Sequence, residues 1–213
     1  MARPFLYALP TVEPPKLWIV RHGETTWARL GRHTSRTDVS LTAAGRDDGR
    51  RVGAALAGAR FALVLSSPRR RALDTARLAG FGDRVEVTDD LAEWDYGADE
   101  GRTTAEIRAE RPGWTIWRDG PRDGETARHV RARVDRVIAL ARAAEGDTLA
   151  FAHGHVLRAL TARWLGLPVL DGRLFELATA TISILGWERE QPTIERWNDP
   201  TDTPTPKPAT ART

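Results

Sequence analysis

Arg21 and His22 close the short apolar run at 17–20, and Arg71 follows Ser67-Pro68 just after a second such run. Glu93 lies in an acidic loop, and His153 closes a third run. Brought together, two guanidiniums and two imidazoles would surround one point, and a tetrahedral dianion is the ligand that matches them. Arginine's planar fork clamps phosphate oxygens in two-point fashion, and a helix N-terminus after such a turn adds backbone donors. A neutral imidazole is a nucleophile toward phosphorus. A second, protonated imidazole would stabilise the equatorial oxygens as charge redistributes. Glu93 takes the remaining role, donating a proton to the leaving oxygen and later activating water as a base. A wall of Trp94 and Tyr96 is expected to shield it from solvent.

The elements that position these groups follow from the apolar pattern. Runs at 17–20, 61–66 and 148–152 read as buried strands. Helices are expected over 43–57, capped by Thr42, over 71–79, and from about Glu125, where Val130, Val134, Val137 and Ala141 recur at three- and four-residue steps. Another follows His153, with Val156, Leu157, Leu160 and Trp164 on one face. A brief strand is expected at Val85 and Val87, and one or two helical turns over 103–110. Residues 24–40, 91–101 and 114–124 read as irregular, and 175–187 and 193–197 as two strands. Alternating strands and helices predict an α/β fold, a mostly parallel central sheet covered on both faces in three layers. Open sheets of this kind place ligands at the C-terminal ends of their strands, where Arg21, His22, Arg71 and His153 all lie. No internal repeat or second domain is visible: residues 1–15, rich in proline, read as an irregular lead-in, 16–197 as one domain, and 198–213 as a disordered tail.

Composition narrows the function classes. The chain has 213 residues, 41% apolar and 29% charged, as expected of a globular protein. With no cysteine there is no disulfide framework, thiolate metal site or cysteine nucleophile, which suits a reducing compartment. No apolar stretch reaches the ~20 residues that span a bilayer, and the first residues lack a signal peptide's apolar core, so a cytoplasmic location is expected. A net charge of +3 spread along the chain does not call for nucleic acid, and Arg69-Arg70-Arg71 reads as a solvated helix start. His153 and His155 are expected to point apart, which argues against a His-x-His metal pair. Serine hydrolase chemistry lacks its Gly-x-Ser-x-Gly elbow, and glycosidase chemistry leaves the Arg/His set without a role. His33 and His129 read as surface residues, although His33, with Thr34, sits in a loop near the site. Trp27 and Trp94 are candidates to line the pocket.

Five blocks, in order, resemble a known family: Arg21-His22-Gly23-Glu24-Thr25; Ser67-Pro68-Arg69-Arg70-Arg71-Ala72-Leu73-Asp74-Thr75-Ala76; Leu91-Ala92-Glu93 through Gly97 to Glu100-Gly101; Gly124-Glu125-Thr126; and Ala152-His153-Gly154. They look like the signature blocks of the histidine phosphatase superfamily, with its phosphoglycerate-mutase-like fold. The resemblance implies that His22 is the phosphorylated nucleophile, that Arg21, Arg71 and His153 bind the phosphoryl group, and that Glu93 is the acid/base. It implies neither metal nor organic cofactor, and places Glu125 near the pocket; Thr34 and His33 join it as candidate substrate contacts. Mutases of the family commonly carry an asparagine where this chain has Ala28, and a longer insertion between the Glu93 and His153 positions. A mutase must keep water from its phosphohistidine, so the short interval favours a phosphatase. The stretch 91–107, with Trp117-Arg118-Asp119-Gly120 and Phe151-Ala152-His153-Gly154-His155, is similar to the sedoheptulose-bisphosphatase branch, which points to a sugar phosphate or another small phosphorylated metabolite. A cofactor-dependent mutase and a non-catalytic binder of phosphorylated ligands are the alternatives. The sequence leaves the oligomeric state open, a homodimer included.

Overall fold

The computed structural model describes residues 13–201. The lead-in at 1–12 and the tail from 202 lie outside the described residues. The elements in chain order are β1 (Leu17–Arg21), α1 (Thr26–Arg29), α2 (Ala43–Ala55), β2 (Leu63–Ser66), α3 (Arg70–Leu78) and β3 (Glu86–Val87). They are followed by α4 (Thr104–Glu110), α5 (Ile116–Asp119), α6 (Ala127–Ala143), β4 (Thr148–Ala152), α7 (Gly154–Trp164), β5 (Thr181–Glu188) and β6 (Gln191–Pro200). Short 3-10 segments at Asp89–Leu91, Gly97–Asp99 and Val169–Leu174 punctuate the connections.

One six-stranded sheet runs in the order β3-β2-β4-β1-β5-β6. β3, β2, β4 and β1 are mutually parallel, while β5 runs antiparallel to β1 and β6 antiparallel to β5. Side chains alternate across the strands with period two. Leu17 and Ile19 of β1 and Ala150 and Ala152 of β4 enter one core, together with Val134 and Val137 of α6 and Leu157 and Leu160 of α7. Val20, Leu149 and Phe151 enter the other core, with Val52 of α2 and Ala76 of α3. The result is the three-layer α/β/α arrangement that the sequence predicts.

Two glycines fix how the end of β1 meets the helical layer. A Cβ on Gly23 would lie 2.3 Å from the carbonyl oxygen of Gly45, and one on Gly45 would lie 2.0 Å from that of Glu24. Backbone therefore packs directly on backbone here, and only glycine fits. Thr42 secures the same junction: its hydroxyl caps α2 by accepting from the Gly45 N–H at 3.0 Å and donates to Glu24 Oε1 at 2.8 Å.

Four expectations are corrected. The loop at 24–40 contains α1, a single turn capped by Thr25, and the stretch at 114–124 contains α5, capped by Thr115; one turn is too short for a periodicity to show. The apolar segment at 175–187 becomes a strand only from Thr181, because Ala180 takes a left-handed conformation, φ 57°. β6 continues to Pro200, beyond the expected start of the tail, and as an edge strand it accommodates both Pro192 and Pro200.

Candidate active site

Three parallel strand ends meet at one place. Beyond β1 the His22 N–H donates to Ala152 O at 3.0 Å, and beyond β2 the Ser67 N–H donates to Phe151 O at 2.9 Å. The sheet ladder thus sets Ser67, His153 and His22 side by side. The His22 and His153 rings are 5.1 Å apart between centroids, at 62°. Arg71, in the first turn of α3, reaches across so that its Nε donates to His153 Nδ1 at 3.1 Å. His22, Arg71 and His153, with Arg21 beside them, therefore come together as the sequence predicts.

The hydrogen bonds assign the tautomers. His22 Nδ1 donates to the Gly23 carbonyl at 2.8 Å, so its Nε2 carries the free lone pair. His153 accepts from Arg71 at Nδ1, so its Nε2 bears the proton and donates to Ser67 Oγ at 2.7 Å. Burial, then the charges of Arg71 and Arg21, hold the His22 pKa well below the usual imidazole value. Burial, then Arg71, does the same for His153. Both imidazoles are neutral near pH 7. That suits a nucleophile at His22 and corrects the expectation of a protonated partner at His153: buried, and accepting from cationic Arg71 at Nδ1, the second ring does not hold a charge.

Arg71 is fully buried, and its donors are largely committed. Nη1 donates to Thr37 O at 3.1 Å and Nη2 to Thr34 O at 3.0 Å, so the guanidinium ties the 34–37 loop to the strand ends. Arg21 is different. Its Nη1 donates to Leu177 O at 2.5 Å, while its buried Nε has no partner among the described residues.

Glu93 faces this group from a loop. Its Oε1 accepts from the N–H groups of Trp94 and Val156 at 2.9 and 2.8 Å, and Oε2 accepts from that of His155 at 3.0 Å. The carboxyl group thus sits on the first turn of α7, held in place by three backbone N–H groups. A Cβ placed on Gly154 would lie 3.5 Å from the Arg21 guanidinium carbon and 3.7 Å from Glu93 Oε2, so both crowd the same backbone. Oε2, with a single protein donor, is the oxygen left free for chemistry.

A cavity of about 190 Å³ opens over His22, Arg21 and Glu93. Thr34, His33, Ala28, Tyr96, His155 and Arg158 line it. His33 is not a surface residue: it packs on Tyr96, Trp114 and His155 with centroids 4.7, 5.5 and 5.9 Å away. His155 points away from His153, as expected, and its Nδ1 accepts from the Tyr96 hydroxyl at 2.6 Å. Burial, then the Glu93 charge, lifts the Tyr96 phenol well above its ordinary pKa, so it remains the donor.

Other assignments move. Trp94 is buried in the core against Trp117, its Nε1 donating to Glu125 O at 2.7 Å, so Tyr96 alone of the expected pair walls the cavity. Trp27 lies against Gly101 rather than in the cavity. Glu125 does not line the cavity over His22: Arg133 grips it through Nε and Nη2 at 2.7 and 2.8 Å. The same Arg133 donates through Nη1 to the carbonyls of Asp90 and Ala92 at 2.9 and 2.6 Å. The pair braces the loop that carries Glu93, a role for Arg133 that sequence reasoning missed. Arg69-Arg70-Arg71 forms no surface stripe, since Arg71 is buried and Arg70 donates to Asp74.

Known proteins resemble this chain in sequence and in fold. The family model described as histidine phosphatase superfamily (branch 1) matches residues 17–200. An acid phosphatase of Mycobacterium tuberculosis is 45% identical over 177 residues, 81% of this chain and 87% of the relative. A sedoheptulose 1,7-bisphosphatase of Saccharomyces cerevisiae is 38% identical over 188 residues, 73% of this chain and 69% of the relative. The solved structure of a Mycobacterium tuberculosis open reading frame product superposes with a TM-score of 0.84 at 42% identity, covering 88% of this chain and 98% of its own.

Proposed function

This chain belongs to the histidine phosphatase superfamily and is a phosphomonoester hydrolase, and we propose that it acts on a small sugar phosphate through a phosphohistidine on His22. The observation that carries the reading is the free Nε2 of a neutral, buried His22, with Arg21 and Glu93 opening onto the same cavity. In the first step Nε2 attacks phosphorus, the N–P bond forms and the ester P–O bond breaks. The leaving oxygen takes a proton from Glu93 Oε2, so the alcohol departs neutral. In the second step Glu93 takes a proton from water, whose oxygen attacks phosphorus as the N–P bond breaks and phosphate leaves. The Nδ1 proton stays on the ring, hydrogen-bonded to the Gly23 carbonyl, throughout and aims Nε2.

Arg21, whose Nε has no protein partner, is the direct clamp on the phosphoryl oxygens. Arg71 acts from the layer behind His22, supplying positive potential and fixing the 34–37 loop, neutral His153 links Arg71 to Ser67, and Thr34 and His33 contact the substrate at the mouth. Glu125 supports Glu93 through Arg133 and does not touch the substrate. The sugar phosphate assignment draws on the yeast relative and on the polar lining of the cavity. A cytoplasmic setting is part of the same proposal: the chain has no cysteine, and among the described residues no helix is long and apolar enough to cross a membrane. The test is to incubate the protein with a phosphate ester and quench. An acid-labile, alkali-stable phosphoenzyme is expected, absent in His22→Ala; a fully active His22→Ala protein would overturn the proposal.

A further inference from the structure

Glu100 has no part in the chemistry above and does not line the cavity over His22, yet it meets the loop that Arg71 holds. Both of its oxygens accept from the Ser35 N–H at 2.9 Å. Oε2 also accepts from the Ser35 hydroxyl at 2.5 Å, and Oε1 from the Thr37 N–H at 3.0 Å. These donors are all neutral, so they hold the carboxylate without cancelling its charge. Burial pushes its pKa up, but the Ser35 and Thr37 donors outweigh burial and keep the group below the ordinary carboxylate value, ionised near pH 7.

Arg71 grips the other side of the same peptides. Its Nη2 donates to Thr34 O at 3.0 Å and its Nη1 to Thr37 O at 3.1 Å. The Thr34 carbonyl and the Ser35 N–H belong to one peptide group. That group therefore accepts from the guanidinium at one end and donates to the carboxylate at the other, and each bond polarises the peptide in favour of the other. Residues 33–40 belong to no helix or strand, so the loop owes its shape to such contacts. Burial lowers the Arg71 pKa, and Glu93, Tyr96 and Asp38 are the groups that offset it; Glu100 thus acts on Arg71 through the loop backbone rather than across space. Arg71 in turn meets His153, whose Nδ1 accepts from its Nε at 3.1 Å. A branch reaches the cavity wall, where the Tyr96 N–H donates to Ser35 Oγ at 3.2 Å.

We infer that Glu100 is a positioning residue for phosphoryl transfer: it fixes the Thr34–Ser35 peptide, and that peptide fixes Arg71 against His153 behind the nucleophile. The inference rests on the phosphatase reading above and adds to it a residue from outside the cavity.

The test measures kcat and KM for p-nitrophenyl phosphate in the wild type, Glu100→Gln and Glu100→Asp, together with the nitrogen NMR resonance of His153 Nδ1. This ester leaves without a proton, so its rate reads the phosphoryl side of the site rather than Glu93. Glu100→Gln keeps the shape but sets an amide NH2 against the donors of the loop. It is expected to lower kcat by about tenfold, with KM nearly unchanged. It should also move the His153 Nδ1 resonance downfield, toward a nitrogen with no donor, as Arg71 Nε withdraws. Glu100→Asp, which keeps the charge but retracts it by one methylene, should show both changes in smaller measure. An unchanged kcat overturns the inference. A lower kcat with the His153 resonance unmoved overturns it too, because Glu100 would then support the loop without acting through Arg71. Should Glu100→Gln fail to fold, the Glu100→Asp protein decides by the same two readings. A wild-type protein that hydrolyses no ester overturns the phosphatase reading instead.

Discussion

The two sides of the cavity are built differently. The floor, with His22, Ser67 and His153, is assembled by the sheet: each residue follows directly on a strand, and the His22 and Ser67 N–H groups continue the ladder to β4. The wall takes His155 and Arg158 from α7 but Glu93 and Tyr96 from a loop braced from behind by Arg133 and Glu125. The floor is therefore as rigid as the sheet, while the wall's precision depends on a few side-chain contacts. Phosphoryl transfer needs the first to be invariant, whereas substrate choice rests in the second.

Substitutions can break this contrast. The largest effect is expected on the floor, where His22→Ala should lower phosphate release by about 10⁴-fold or more, measured with any hydrolysed ester. On the wall, Glu93→Gln should cost about 10²–10⁴-fold for an alkyl phosphate. It should cost much less for p-nitrophenyl phosphate, whose phenolate leaves unprotonated; equal losses for the two would remove Glu93 from the proton-donor role. Arg133→Met should lower kcat by roughly tenfold, the size expected for a displaced catalytic group, with KM nearly unchanged, and should show the same leaving-group dependence as Glu93→Gln. A uniform loss across leaving groups would make Arg133 merely structural.

The smallest effect is on pH behaviour, and it touches both sides. Burial holds the pKa values of His22, His153 and His155 well below about 6.5 in the folded protein. The unfolded chain then binds more protons as pH falls below about 6.5, so stability is full above that value and declines below it until the folded pKa values are reached. Each imidazole contributes up to about 1.4 kcal/mol per pH unit in that window. His155→Gln should therefore flatten the pH dependence of stability, read from denaturant midpoints between pH 5 and 7, by about one proton. An unchanged slope would show that His155 is not held neutral.

The same contrast explains what the sequence made legible. Val20-Arg21-His22 and Ala152-His153 announce themselves because an apolar strand ending in a charged or imidazole side chain is a local pattern. Arg133 was hidden, since an arginine among four others in α6 has no local mark of what it grips; its partners are the carbonyls of Asp90 and Ala92, over forty residues earlier. Trp94 was misplaced for a related reason: sequence places it beside Glu93, but the chain direction at that point sends its ring into the core against Trp117. α1 and α5 each depend on one threonine cap, a signal too common in loops to be decisive.

The strand order has a consequence for how the protein comes into being. β1, the first strand in the chain, lies between β4 and β5, so Leu17 pairs with Thr148 on one side and Leu185 on the other. A ribosome releases the strand that carries His22 long before either neighbour exists. Its apolar edge, Leu17, Ile19 and Val20, waits without a mate through most of translation. Non-local closure of this kind slows folding and prolongs the interval in which nascent chains associate wrongly. The residue at the centre of the chemistry thus directly follows the strand that, among those described, is made first and waits longest for both its neighbours.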